Sequence, residues 1–352
     1  MDSKIKIIGS LTAFIILAGI SCWATEKSLQ MLLPAEWPEL AIWGITIAFF
    51  IVASIGTKLI VDVLSYPGFI DNRRLKFFGG ILLVIFFWLL MSMPTNTHTF
   101  FYKDQIGKEI TKDIETTNKY LQQIIDKGSG STIVLDSTGK EIKNFAEEER
   151  RHIVAQFNGD EPPYKKGNGV EIGKHLENIN KVLGSSIQQD SKYNSQDPQI
   201  LIQYHYQIDK ALESALKPHT ISDKSLRNAR TYKQRLEAMN DSIQDALSTD
   251  HISDEEIKQV EKLLSDGYNL ISTNSKFIHF DNQEDKELYT NENGITRTKR
   301  LSSVIDVFFV DFLQGKYPGS FWYYVILSIL IDVAAFIFFD ILFRRQDEDY
   351  NI

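Results

Sequence analysis

Residues 321–343 read FWYYVILSILIDVAAFIFFDILF, an apolar run opened by an aromatic cluster and interrupted only by Ser328, Asp332 and Asp340. A helix needs about 20 such residues to cross the ~30 Å hydrocarbon core of a bilayer. A buried helix of a soluble protein would show a polar face, and this run shows almost none. Three stretches near the start of the chain pass the same test, about Ile7–Trp23, Ala41–Leu64 and Leu75–Met93. The mean hydropathy of -0.17 conceals them, because the chain of 352 residues averages greasy ends with a polar middle. The expected fold class is an all-α integral membrane protein: four transmembrane helices, and a large extracytoplasmic helical-bundle domain with a minor β element.

Lysine and arginine near span ends mark the cytoplasmic side. Lys4 and Lys6 precede the first span, Arg73, Arg74 and Lys76 lie between the second and third, and Arg344 and Arg345 follow the fourth. The loop between the first two spans offers Lys27 against Glu26, Glu36 and Glu39. Alternation then puts both termini in the cytoplasm and residues 94–320 outside, with Trp37, Trp43 and the Phe321-Trp322-Tyr323-Tyr324 cluster at the outer interface. The domain order follows: 1–93 with three spans, 94–300 an outward bundle, 301–320 an amphipathic juxtamembrane segment, 321–343 the fourth span, and 344–352 a short tail. The start also has the look of a signal sequence. Gly19 stands where a lipobox before Cys22 wants Leu, however, so a retained first helix is the expectation.

Cys22 is the sole cysteine, so no intramolecular disulfide forms and thiolate zinc sites are excluded. A large outward domain without cysteine fits a bacterial periplasm, which places the chain in the bacterial inner membrane. Its helices follow from apolar residues at three-four spacing: Ile106–Ile124, Ile172–Ile187, Leu201–Ala215 through His205, Leu226–Leu247 and Ile257–Ile271. Ser253 with Glu256 has the capping-box pattern. Thr132–Leu135 followed by an Asp136–Gly139 turn is the best strand candidate, with Gly294–Thr298 as its partner. Leu301, Val304, Ile305, Phe308, Phe312 and Leu313 form the apolar face of the juxtamembrane segment, with Asp306 and Asp311 off it. The Lys316-Tyr317-Pro318-Gly319 break separates this segment from the fourth span.

The residues able to carry chemistry lie inside the spans. Asp332 sits about 18 Å from the cytoplasmic end of the fourth span at 1.5 Å per residue, where a carboxylate costs roughly 2.5–3.5 kcal/mol to insert. It reads either as an ion or proton site or as a hydrogen-bonded residue holding helices in register, with Ser54 and Thr57 nearest in depth. Lys58 and Asp340, about 9 Å and 6 Å deep on the same scale, can pair across helices, while Asp62 offers Lys58 a partner on its own helix. Gly44, Ala48, Ala53 and Gly56 give small surfaces for close helix packing. Thr95-Asn96-Thr97-His98-Thr99 reads as a polar exit loop at the outer surface, and Glu147-Glu148-Glu149 as a solvated face.

No nucleophile elbow, phosphate-binding glycine loop or histidine pair at zinc spacing is present, so neither enzymatic activity, cofactor nor metal is expected. A formal charge of -8 without a polybasic stripe argues against nucleic acid. The layout is similar to that of tetraspanins in topology alone, since the cysteine motif of that family's outer loop is missing, and topology transfers no function. The leading expectation is a non-enzymatic multi-pass component of a bacterial envelope assembly. Its partners would be the lipid bilayer, a membrane or periplasmic protein met by the outward domain, and further copies of itself. The alternative is an oligomeric ion channel or proton-coupled protein using Asp332, Lys58 and Asp340.

Overall fold

The computed structural model describes residues 2–34, 36–65, 72–130, 133–248, 252–291, 294–312, 314–315 and 319–343. Asp71, Thr132, Leu313, Lys316, Tyr317, Pro318 and the tail with Arg344 and Arg345 lie outside them. The described chain is all-helical, at 82% helix with no strand, and folds as two compact units.

Unit 1 comprises Met1–Asp113, Ala246–Ile252 and Ile295–Ile352. Its long helices are α1 (Asp2–Leu32), α2 (Glu39–Ser65), α3 (Arg73–Phe87), the first part of α4 (Met93–Ser129), and α12 (Ser320–Leu342). Four helical runs, with α3 and α4 counted together, are long and apolar enough to cross a membrane. A π-helical stretch, Trp88–Ser92, joins α3 to α4 without a break. Pro94 lies just beyond it. Proline has no N–H for the carbonyl four residues back and its ring crowds that carbonyl, and a wider π turn is one way a helix absorbs such a defect. The helix therefore continues through Pro94, the residue after the expected end of the third span.

The unit is held by two kinds of packing. Phe50, Phe87 and Phe336 pack with Cys22, Ala53 and Ala335 in one buried cluster. Gly56 and Gly80 bring α2 and α3 together: a Cβ on Gly80 would stand 2.6 Å from the Gly56 carbonyl oxygen. Gly44 and Ala48 instead face outward, and a Cβ on Gly44 would meet nothing within 4 Å. Between α11 (Arg297–Leu301) and α12, residues Ile305–Phe312 form a second π-helical stretch. Its wider turn moves the buried face to Val304, Val307, Phe308 and Asp311, and leaves Ile305 exposed. Asp311, expected off the face, is buried and paired with Arg300.

Unit 2 comprises Ile114–Asp245 and Ser253–Gly294. One of its cores joins α5 (Ser137–Asn158), α6 (Val170–Leu183) and α7 (Pro198–Leu216) through Ile153, Phe157, Ile172, Leu176, Ile179, Ile200, Tyr204 and Ile208. Burial of such side chains is worth about 1.5–3 kcal/mol each. The buried edge of α7 is Ile200-Tyr204-Ile208-Leu212, one position off the expected Leu201-His205 line. The rest of α4 meets α8 (Asp223–Ser248) and α9 (Asp254–Thr273), where a Cβ on Gly267 would touch Thr117, Leu121 and Leu236. Tyr289 on α10 (Gln283–Thr290) packs against Tyr120 and Tyr268. The capping box at Ser253 and Glu256 forms as expected.

Among the described residues the minor β element is absent. Ile133–Leu135 form no strand, and the expected Asp136–Gly139 turn is the start of α5, with Asp136 as N-cap accepting from the Gly139 N–H. In the proposed partner segment, Thr296 caps α11 and Thr298 gives its N–H and hydroxyl to buried Asp113. In the Gly294–Thr298 segment the Asp113 side chain has taken a backbone donor that a ladder would have used.

Asp136 also lies 3.0 Å from His219 Nδ1 and 3.6 Å from Lys276 Nζ. Burial works to raise its carboxyl, but the Gly139 N–H, His219 and Lys276 outweigh this and hold it below the ordinary carboxylate range. A depressed folded value stabilises the protein above the unfolded value of about 3.9, and the contribution is lost as pH falls from there through the folded value. Wild type should lose more stability than Asp136→Asn on acidification through that window in denaturant titrations. For unit 1, Gly80→Leu should cost about 1–3 kcal/mol through overpacking, whereas Gly44→Leu should stay within about 0.5 kcal/mol of wild type. Thermal unfolding in detergent measures both.

Candidate functional site

Asp332 on α12 is 1% exposed. Ser21 on α1 donates its hydroxyl to Oδ1 at 2.6 Å, and Ser92, the last residue of the first π stretch, donates to Oδ2. Asn96 on α4 completes the arrangement. Its Nδ2 donates to Ser21 Oγ at 2.9 Å and to Ser92 Oγ at 3.0 Å, so both hydroxyl protons are free to point at the carboxylate. The donors of the cluster thus converge on two acceptor oxygens, which is what a buried carboxylate requires.

The polar line continues away from Asp332. Thr25 donates to Asn96 Oδ1 at 2.8 Å, and Thr95 Oγ1 lies 3.2 Å from Thr25 Oγ1. Ser28 Oγ donates to the Thr95 carbonyl at 2.7 Å and lies 2.7 Å from Thr99 Oγ1 and 3.0 Å from His98 Nδ1. His98 Nε2 reaches the Leu301 carbonyl at 2.9 Å. All of these side chains are buried. The helical repeat explains the register: Ser21, Thr25 and Ser28 recur on one face of α1, as do Ser92, Asn96 and Thr99 across the π stretch and α4. The Thr95–Thr99 segment, expected as an exit loop, is therefore a buried helical turn at the centre of unit 1.

The other polar candidates on the apolar helices sit apart from Asp332. Ser54 and Thr57, expected near it, donate to the carbonyls of Phe50 and Ala53 on their own helix at 2.9 and 3.1 Å. Lys58 makes both anticipated contacts, with Asp62 at 2.5 Å and with Asp340 on α12 at 3.3 Å. Ala53 and Gly56 are buried packing positions, and Gly80, which the sequence reading did not single out, is the close neighbour of Gly56.

Unit 2 holds a different kind of feature. Buried Asn168 donates to the carbonyls of Asp190 and Lys192 at 2.9 and 3.2 Å, and accepts from Tyr204 Oη and Gln189 Nε2 at 2.9 and 3.1 Å. Its backbone pairs with Asn194 and Ser195. The loops flanking α6 are pinned together in this way. They display Tyr164 and Tyr193, with Tyr164 held at φ 58° and Asn194 at φ 57°. Tyr164 is 69% exposed and Tyr193 57%; Ile202 and Tyr206 on α7 are exposed as well.

The histidines carry no metal constellation: among the described residues no group of three or more ligand side chains converges. His152 and His175 stack at 5.2 Å, each against a glutamate, Glu161 and Glu149 respectively. Glu149 thus leaves the expected solvated face. Burial and the neighbouring Arg150 lower the pKa of His205. Comparison with family models, curated proteins and solved structures returned no match, so geometry alone carries the functional reading.

Interhelical hydrogen bonds inside membrane bundles are worth about 0.6 kcal/mol on average and up to about 1.7. A double-mutant cycle of Ser21→Ala with Asp332→Asn should show coupling in that range by thermal unfolding in detergent. The control pair Ser54→Ala with Asp332→Asn should show none.

Proposed function

We propose that this chain is a non-enzymatic, multi-pass component of an envelope assembly in a bacterial inner membrane. Both termini are cytoplasmic and unit 2 is the outward module that recognises a membrane or periplasmic protein partner. The observation that carries the reading is Tyr164. A large aromatic side chain is offered to solvent on a backbone conformation that non-glycine residues seldom adopt, and its N–H is tied to the Glu161 carbonyl at 2.7 Å. Strained, over-determined backbone of this kind concentrates at binding and switching sites, and exposed tyrosine is the residue type enriched where proteins bind each other. The placement outside rests on the lysine and arginine distribution of the sequence. A retained first helix is supported by Ser21, Thr25 and Ser28, which α1 contributes to the polar core. The smooth exposed Gly44–Ala48 face of α2 leaves room for a second copy.

A second reading is favoured by one observation of its own, the line of buried polar groups from Asp332 to His98. In an oligomeric channel or a proton-coupled protein that line would relay protons, with Lys58 and Asp340 as a further charged station.

Site-specific photo-crosslinkers at Tyr164 and Tyr193 in native membranes should give one discrete adduct, and crosslinkers at exposed Glu177 and Lys181 should not. Equal labelling from all four positions would remove the recognition reading. Asp332→Asn should preserve assembly and partner capture if recognition is the function. Loss of a pH-dependent current in vesicles, with assembly intact, would instead install the proton-coupled reading.

A further inference from the structure

A crevice of about 260 Å³ opens between α2, α3 and α12. Its wall is apolar, formed by Ile60, Val61, Val84, Val333, Phe336 and Ile337, with the Trp88 ring also on it. Thr57 lines it too, but its hydroxyl is turned back to the Ala53 carbonyl. The charged element of the lining is Asp340, which Lys58 ties to Asp62. We propose that this crevice binds one acyl chain of a zwitterionic aminophospholipid, whose headgroup is read by the Lys58–Asp62–Asp340 cluster.

The apolar wall selects a hydrocarbon occupant. At the depth of a span no water competes for such a gap, and its volume falls short of the ~300–1,000 Å³ typical of pockets for drug-sized ligands. An apolar crevice of this size takes a segment of one flexible chain rather than a whole lipid.

Charge selects the headgroup. Two carboxylates share one ammonium, leaving the cluster with a formal excess of negative charge. An anionic phospholipid would offer its phosphate to Lys58 but no cation to the two carboxylates. An aminophospholipid brings both signs: its phosphate suits Lys58, and its ammonium has three N–H donors for carboxylate oxygens. Lys58 engages Oδ1 of both Asp62 and Asp340, which leaves each Oδ2 to accept from the lipid.

The inference rests on the membrane placement proposed above, and the test separates the two. The full chain is extracted from membranes and reconstituted with equal phosphatidylethanolamine and phosphatidylglycerol, and the retained lipid is read by native mass spectrometry. One phosphatidylethanolamine per chain is expected, preferred about tenfold, the worth of one charge-assisted hydrogen bond. Asp340→Asn should bring that preference close to unity. Ile337→Trp, which fills the crevice without touching the charged cluster, should abolish retention while leaving the melting temperature within a few degrees. Equal retention of the two lipids, retention unchanged by Ile337→Trp, or a lipid-free dimer with the crevice closed by a second copy would each overturn the proposal. A chain that stays soluble after alkaline washing without detergent would overturn the membrane placement itself.

Discussion

A buried carboxylate in the middle of an apolar helix must find its hydrogen bonds within the protein, because its apolar neighbours supply none. Asp332 meets this demand with hydroxyls from two other helices, Ser21 on α1 and Ser92 at the end of the π stretch. The arrangement fixes three helices at once. Ser92 must face α12, Ser21 must face the same point from the other side, and Asn96 must bridge them so that both hydroxyl protons turn inward. Removing Asn96 would leave each serine free to donate elsewhere. The aromatic cluster around Phe50 and the Gly56–Gly80 crossing add packing to this polar frame, but they tolerate rotation more readily than a carboxylate that needs two donors.

The π stretch at Trp88–Ser92 belongs to the same frame. An ordinary helical turn before Pro94 would place a carbonyl against the proline ring and shift Ser92 around the axis. The wider turn relieves the first problem and sets the second. Trp88, at its other end, faces the lateral crevice, so one local irregularity shapes both the polar centre and the apolar wall. The second π stretch does similar work for Asp311, carrying it to the buried side where Arg300 can meet it.

The four long apolar helical runs were legible in the sequence because length and apolarity are local properties, and so were the main helices of unit 2, whose three-four spacing records one buried face. The Lys58–Asp340 pair was legible from depth alone, since both residues lie at similar distances from their helix ends. What escaped was relational. Thr95–Thr99 is polar, and a polar stretch after an apolar one reads as an exit from the membrane. Only the matching Ser21-Thr25-Ser28 face, many residues away, reveals it as half of an interface. The strand failed for a related reason: Asp136 and Asp113 claim nearby backbone donors, and nothing in the β-branched run Thr132-Ile133-Val134 announces that competition. The π stretches moved the buried face off a regular 3.6-residue count, which is why Asp311 was placed on the wrong side.

Unit 1 is assembled from both ends of the chain and the short Ala246–Ile252 segment. Ser21 and Asp332 are 311 residues apart. During synthesis the first three apolar helical runs are made long before their carboxylate partner, and the segments of unit 2, down to Gly294, all leave the ribosome ahead of α12. The hydroxyls of Ser21 and Ser92 therefore wait for their carboxylate through most of translation. The fourth helix then acts as a closing piece whose arrival completes the polar frame. A chain stalled or cut before α12 would hold the other helices of unit 1 around a polar centre that is still open.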